Sequence, residues 1–163
     1  MSEFINTIDE LGDEVVLSSI VNGTITEFKD NVLTEVGSYA FYKIENSLTK
    51  VVLPNVKTIG SSAFEYCRKL SYVDLGNVTK LEQNAFYQAT GLRHLIIRTN
   101  TVCDIFNTYT LNGSTMYKLY VPRALFEEYK AHSVWKSFSY YMRILEDYTV
   151  DGTTTGEVDT TKA

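Results

Sequence analysis

One unit of sequence is written out three times between Val36 and Asn100, and this recurrence narrows the possible folds more than any other feature of the chain. LTEVGSYAF at 33–41, VKTIGSSAF at 56–64 and VTKLEQNAF at 78–86 align with one another, as do SLTKVVL at 47–53, KLSYVDL at 69–75 and GLRHLII at 91–97. Ile25, Leu48, Leu70, Leu92 and Met116 are equivalent positions, separated by 23, 22, 22 and 24 residues, so five copies are present and the outer two are degenerate. A fixed period of this length implies stacked coils. One copy cannot bury its own apolar face, and a neighbour has to cover it.

The columns within the repeat say how each coil runs. Three residues after each index position stand Phe28, Val51, Val73, Leu95 and Leu119, and five after it Asp30, Leu53, Leu75, Ile97 and Val121. Apolar alternation of this kind predicts a strand with one inward face. The residues two and four after the index then point outward: Lys50 and Val52, Tyr72 and Asp74, His94 and Ile96, Lys118 and Tyr120. Eleven after the index come Val36, Ile59, Leu81 and Cys103, and at fifteen and sixteen the pairs Ala40-Phe41, Ala63-Phe64 and Ala85-Phe86. Each coil therefore reads as a strand, a bend, a short extended piece and one helical turn at the Ala-Phe pair. Ala lets adjacent turns approach and Phe fills the interior, which predicts a spine of aromatic rings. Five strands at about 4.8 Å give a sheet roughly 20 Å wide. Gly37 and Gly60, each followed by Ser, supply turn and helix-start chemistry just before the Ala-Phe turn.

The IGSSAFEYCRKLSYVDL pattern, in register over residues 24–123, resembles the BspA-like leucine-rich repeat proteins. The resemblance implies an α/β repeat fold: a single right-handed solenoid of about five coils with a parallel sheet and helical caps at both ends. Members of this kind are abundant in gut bacteria and their prophages, which implies a cell-surface or virion setting. The phrase from VPRALFEEYK to LEDYTVDGTTTGEVD is similar to the ends of short prophage-encoded members. One departure is informative. The Asn usual in leucine-rich repeats, eight after the index, is replaced by Val56 and Val78 and kept only at Asn100, so apolar packing is expected to close that corner. Asp30 in a strand column and Asn107-Thr108 where Ala-Phe is due mark fraying ends of the array.

Outside the solenoid, assigned to 24–121, the chain divides into three pieces. Phe4, Ile8, Leu11, Val15 and Ile20 form an apolar stripe broken at Gly12, read as an N-terminal helical cap over 1–23. Pro122 opens a C-terminal cap over 122–147, in which Leu125, Tyr129 and Ala131 face the last repeat and Trp135, Phe138, Tyr141 and Ile144 continue it. TNTVCDIFNTYTLNGS at 99–114 reads as a longer loop before the last strand. Residues 148–163 are poor in apolar groups and are expected to form a flexible tail or to lead into a partner. The first residues show neither a basic n-region nor a continuous apolar stretch, so neither a signal peptide nor membrane insertion is expected.

The chemistry available is limited. A net charge of -5 without a basic run argues against nucleic acid. Cys67 shares a column with Ile44 and Ala89, and Cys103 with Val36, Ile59 and Leu81, which predicts two small buried apolar residues. His94 lies on the outward side of a strand with Asp74 diagonal to it, so a His-Asp pair is open alongside a surface histidine. His132 ends a helix, where positive charge suits the dipole. No phosphate loop, nucleophile elbow or zinc spacing occurs, so neither an enzyme nor a cofactor is expected. Tyr39, Tyr42, Tyr66 and Tyr87 beside the Ala-Phe turns either cover coil edges or contact a ligand. Tyr72, pointing outward, is expected to be dispensable for stability. The reading is a non-catalytic recognition or adhesion module that presents its sheet face to a protein or glycan. The alternative is a structural piece that packs into a homo-oligomer or a larger particle.

Overall fold

A computed structural model describes residues 26–163, and the cap expected over 1–23 lies outside the described residues. The main sheet has six parallel strands in the spatial order β1 (Glu27–Lys29), β3 (Lys50–Leu53), β5 (Tyr72–Leu75), β7 (His94–Ile97), β9 (Lys118–Val121) and β10 (Met142–Ile144). Between them lie β2 (Glu35–Val36), β4 (Thr58–Ile59), β6 (Lys80–Leu81) and β8 (Asp104–Ile105), which form a second parallel sheet. Val51 pairs with Val73, Val73 with Leu95 and Leu95 with Leu119. That is the register set by the spacing of the index residues. β10 extends the sheet where the sequence suggests only more cap, and it places Met142 beside Leu119.

Every inward column is buried, from Leu48, Leu70 and Leu92 to Ile59 and Leu81. The rings of Phe41, Phe64 and Phe86 queue along the axis with centroids 5.1 and 5.2 Å apart and planes within 4° and 3° of parallel. Phe28 closes the near end at 5.0 Å from Phe41. Val56 and Val78 are fully buried, so apolar packing does close the corner that an Asn ladder would fill, and Asn100 is exposed. Asp30 has left the strand pattern to make a turn: its Oδ1 accepts from the N–H groups of Val32 and Leu33 at 2.6 and 2.9 Å.

The Ala-Phe segment differs from the helical turn expected there. It is a run of turns in which Tyr39, Lys43, Ser62, Tyr66, Asn84 and Gln88 all take positive φ, between 56° and 62°. A helical turn would keep its N–H groups within the coil, but here alternate ones cross to the next. Tyr39 N–H donates to Ser61 O at 2.9 Å, Phe41 N–H to Ala63 O at 2.8 Å and Phe64 N–H to Ala85 O at 2.8 Å. Left-handed backbone at a non-glycine residue costs on the order of 1 kcal/mol, and the coil-to-coil ladder offsets it. Gly60 has a different reason to be glycine: a Cβ there would lie 2.6 Å from the backbone nitrogen of Ser38 in the coil before.

The last coil is longer than its predecessors. Phe86 N–H donates to Thr110 O at 2.9 Å, in the place that Ala85 O takes for Phe64. The buried pair Thr110-Leu111 therefore stands in for Ala-Phe, rather than Asn107-Thr108. Asn107 instead caps the 3-10 turn Thr108–Leu111 through Tyr109 N–H. Beyond β9, a 3-10 turn at Arg123–Leu125 leads into the short helix α1 (Phe126–Ala131), followed by a second 3-10 stretch at Trp135–Tyr141. Tyr129 and Trp135 are fully buried and pack edge to face at 5.6 Å, while Ala131, expected to face the last repeat, is exposed. Trp135 Nε1 donates to Cys103 O at 2.7 Å, and Tyr129 Oη accepts from Cys103 N–H at 2.9 Å. The cap is thus pinned to the last coil by hydrogen bonds to its open backbone groups. His132 Nδ1 accepts from the N–H groups of Val134 and Trp135 at 3.1 and 3.2 Å, so the ring caps the start of the next turn.

Candidate binding surface

The outward columns are aligned by the strand pairing. Lys50, Tyr72, His94 and Lys118 form one row, and Val52, Asp74, Ile96 and Tyr120 the other. They are not uniformly open. Lys50, Val52, Tyr72 and His94 are half-buried, whereas Asp74 is 7%, Lys118 2%, and Ile96 and Tyr120 0% exposed. Besides Arg98 and Leu145, the residues that cover them belong to the segment expected to be a flexible tail.

That segment folds back over the sheet. Thr149 and Val158 form an antiparallel bridge, with Val150 N–H donating to Glu157 O at 2.9 Å. Leu145 and Val158 pack on Ile96 and Tyr120 as a second apolar cluster on the outer side of the sheet, with Tyr72 and Tyr148 against it. Arg98 holds the hairpin in place. Its Nε and Nη2 grip both oxygens of Asp74 at 2.8 and 2.9 Å, and its Nη1 donates to Thr154 O and Gly156 O at 2.7 and 2.8 Å. Lys118 Nζ donates to Lys162 O and lies 4.7 Å from the Tyr148 ring centroid. Asp151 accepts from the hydroxyl and N–H of Thr153, bonds that hold its carboxyl below the usual carboxylate range and fix the hairpin turn.

These contacts settle which groups act on one another. Asp74 is engaged by Arg98, while His94 Nδ1 lies 2.9 Å from Tyr120 Oη, so the two do not form a His-Asp pair. Burial, reinforced by Lys118 and then Arg93, lowers the His94 pKa. Burial, with Asp74 adding to it, pushes the Tyr72 phenol up to about 12, and the half-buried ring packs against the outer cluster. Burial likewise pushes both thiols up to about 12, and Cys67 donates weakly to Phe41 O at 3.1 Å. Among the described residues no group of three His, Cys, Asp or Glu side chains could hold a metal, and no helix is long and apolar enough to cross a membrane. Tyr42, Tyr66 and Tyr87 form an edge-to-face row at 6.0 Å spacings along the coil edges, half-buried, with Tyr39 more open at its end.

Among the described residues, what remains open on the sheet is its N-terminal half. Lys50 Nζ sits 4.7 Å from the Tyr72 ring centroid, beside Val52 and the exposed Glu27 and Lys29. A cleft of about 410 Å3 lies where the hairpin meets this half, lined by Val52, Asp74, Arg98, Asn100 and Thr154 among others. Sequence reasoning misses Arg98, Leu145 and Val158. The one signal in the sequence is that Arg98 directly follows a buried strand, where a cation is out of place without a partner.

The family model for the BspA type leucine rich repeat region, in 6 copies, matches residues 17–132. The crystal structure of a leucine-rich repeat protein from Bacteroides capillosus is similar at 25% identity and a TM-score of 0.46, covering 56% of this chain and 77% of the other. No curated protein matches the chain. The family match spans well over half of the sequence and coincides with the stacked coils: the chain belongs to the BspA-type leucine-rich repeat family.

Proposed function

We propose that this protein is a non-catalytic recognition module that binds a macromolecular ligand, a protein or a glycan, through the uncovered half of its sheet. The family is one of repeat proteins used mainly in protein interaction. One observation carries the finer reading. The chain covers half of its outward columns with its own hairpin, while Lys50 and Val52, beside the half-buried rings of Tyr72 and His94, keep no such lid among the described residues. Parallel columns of this kind act as extended binding faces in repeat proteins. Lys50 supplies charge, Tyr72 a stiff aromatic rim and Val52 an apolar centre, a mixture suited to a protein or glycan surface. An adhesive setting on a bacterial surface or a phage particle fits such a module.

The test is binding of the full chain to an array of glycans and purified host-matrix proteins, repeated with Lys50→Glu and Val52→Asp. A ligand whose affinity falls by about tenfold or more in these variants, at unchanged melting temperature, supports the reading. Ligands indifferent to both variants would overturn it. So would a stable multimer in light scattering that buries the strand columns, an outcome that points to the assembly role instead.

A further inference from the structure

The N-terminal ends of the last strands of the main sheet carry a feature separate from the outward columns. Arg93, Met116, Tyr117, Tyr140, Tyr141 and Arg143 line most of an open cleft of about 390 Å3. Tyr140 is 83% and Tyr117 44% exposed, and among the other described rings only Tyr39, Phe106 and Tyr109 are as open as Tyr117. Arg143 is held by its own backbone surroundings, with Nη1 donating to Tyr140 O at 3.2 Å and Met142 O at 2.9 Å. The Arg93 guanidinium lies 5.3 Å from the Tyr117 ring centroid. Neither arginine has an ion-pair partner among the described residues, and no carboxylate lines the cleft. In a chain of net charge -5, two uncompensated guanidinium groups facing one cleft amount to a local preference for anions.

A second cleft of about 460 Å3 shares Met116 and Tyr141 with the first and continues along Tyr109, Asn112, Ser114 and Ser137. The two together make one groove, with guanidinium groups and aromatic faces at one end and amide and hydroxyl groups along the other.

We propose that this groove binds an acidic oligosaccharide, with the carboxylate of a uronic or sialic acid held by Arg93 and Arg143 and its ring laid against Tyr117 and Tyr140. A guanidinium fork matches a carboxylate in shape and charge. Exposed tyrosine faces take the C–H face of a pyranose at small entropic cost. The amide and hydroxyl groups beyond supply both donors and acceptors for neutral sugar hydroxyls. An acidic peptide fits less well, because Leu111 and Met116, the aliphatic members of the lining, are already buried in the core and leave no pocket for an apolar side chain. None of the outward-column residues lines the groove, so this proposal stands or falls apart from the sheet-face reading.

The experiment titrates the full chain with trigalacturonate and with sialyllactose, each as free acid and as methyl ester, and with a glutamate-rich peptide. Binding of either acid sugar, with the ester and the Arg93→Gln variant each about tenfold weaker, is the expected result. Arg93 is exposed and bonds no backbone group through its side chain, so this variant is expected to melt with the parent, and Tyr140→Ala provides a second variant at an exposed residue. Acid and ester binding alike, neither sugar binding, tighter binding of the peptide, or sugar binding untouched by both variants would each overturn the proposal.

Discussion

Phe64 shows how much one side chain contributes to this fold. It is fully buried between two near-parallel rings, so Phe64→Ala removes contacts on both sides and leaves a cavity that the stacked coils cannot close. The expected loss is about 3–5 kcal/mol, to be read from denaturant unfolding. A loss below about 1 kcal/mol would mean that the coils slide to fill the gap. His94 makes a pH-dependent contribution of known sign. Its pKa is lowered in the folded chain, chiefly by burial, so below about 6.5 the unfolded chain takes up a proton that the folded one resists. Stability is therefore expected to fall as pH drops from 7 towards 5, and His94→Gln to flatten that slope in melting curves. The residue columns are legible in the sequence alone. A parallel ladder with a period of two forces equal spacing into equal register, and Cys67 and Cys103 are buried where their columns put them.

At the level of elements, what sequence leaves hidden is held by groups that it does not distinguish. The C-terminal hairpin is anchored through the carbonyls of Thr154 and Gly156, which any residues would offer, and through Leu145 and Val158, too far apart to form a periodic signal. Its polar composition suggests mobility because the apolar surface that orders it lies on the sheet. The Ala-Phe segment departs from expectation for a related reason: Tyr39, Ser62 and Tyr66 adopt a left-handed backbone without being glycine, sustained by the hydrogen bonds their N–H groups donate to the neighbouring coil. Deleting residues 148–163 is expected to uncover Ile96 and Tyr120. A hydrophobic dye should then bind and strands β7 and β9 should exchange amide hydrogens faster than in the full chain. Arg98→Met should do the same in part, since it releases the hairpin and leaves Asp74 without its cation. Unchanged exchange in both would show that the hairpin merely rests on the sheet.

For the whole molecule, the coils share one continuous core from Phe28 to the cap at Tyr129 and Trp135, so the described residues should unfold together. The two thiols lie in different coils, both buried, with pKa values pushed up to about 12. They are expected to resist a thiol reagent in the native state and to become reactive with the same denaturant midpoint. Two separate midpoints would divide the solenoid into independent blocks. The queue of phenyl rings carries a further consequence. Phe64 meets an equivalent ring above and below, so a winding inserted beside it would find on either side the surroundings its template already has. The array can therefore gain or lose whole windings by recombination while both ends keep their neighbours, and its reach across a ligand can lengthen without any change in how it folds.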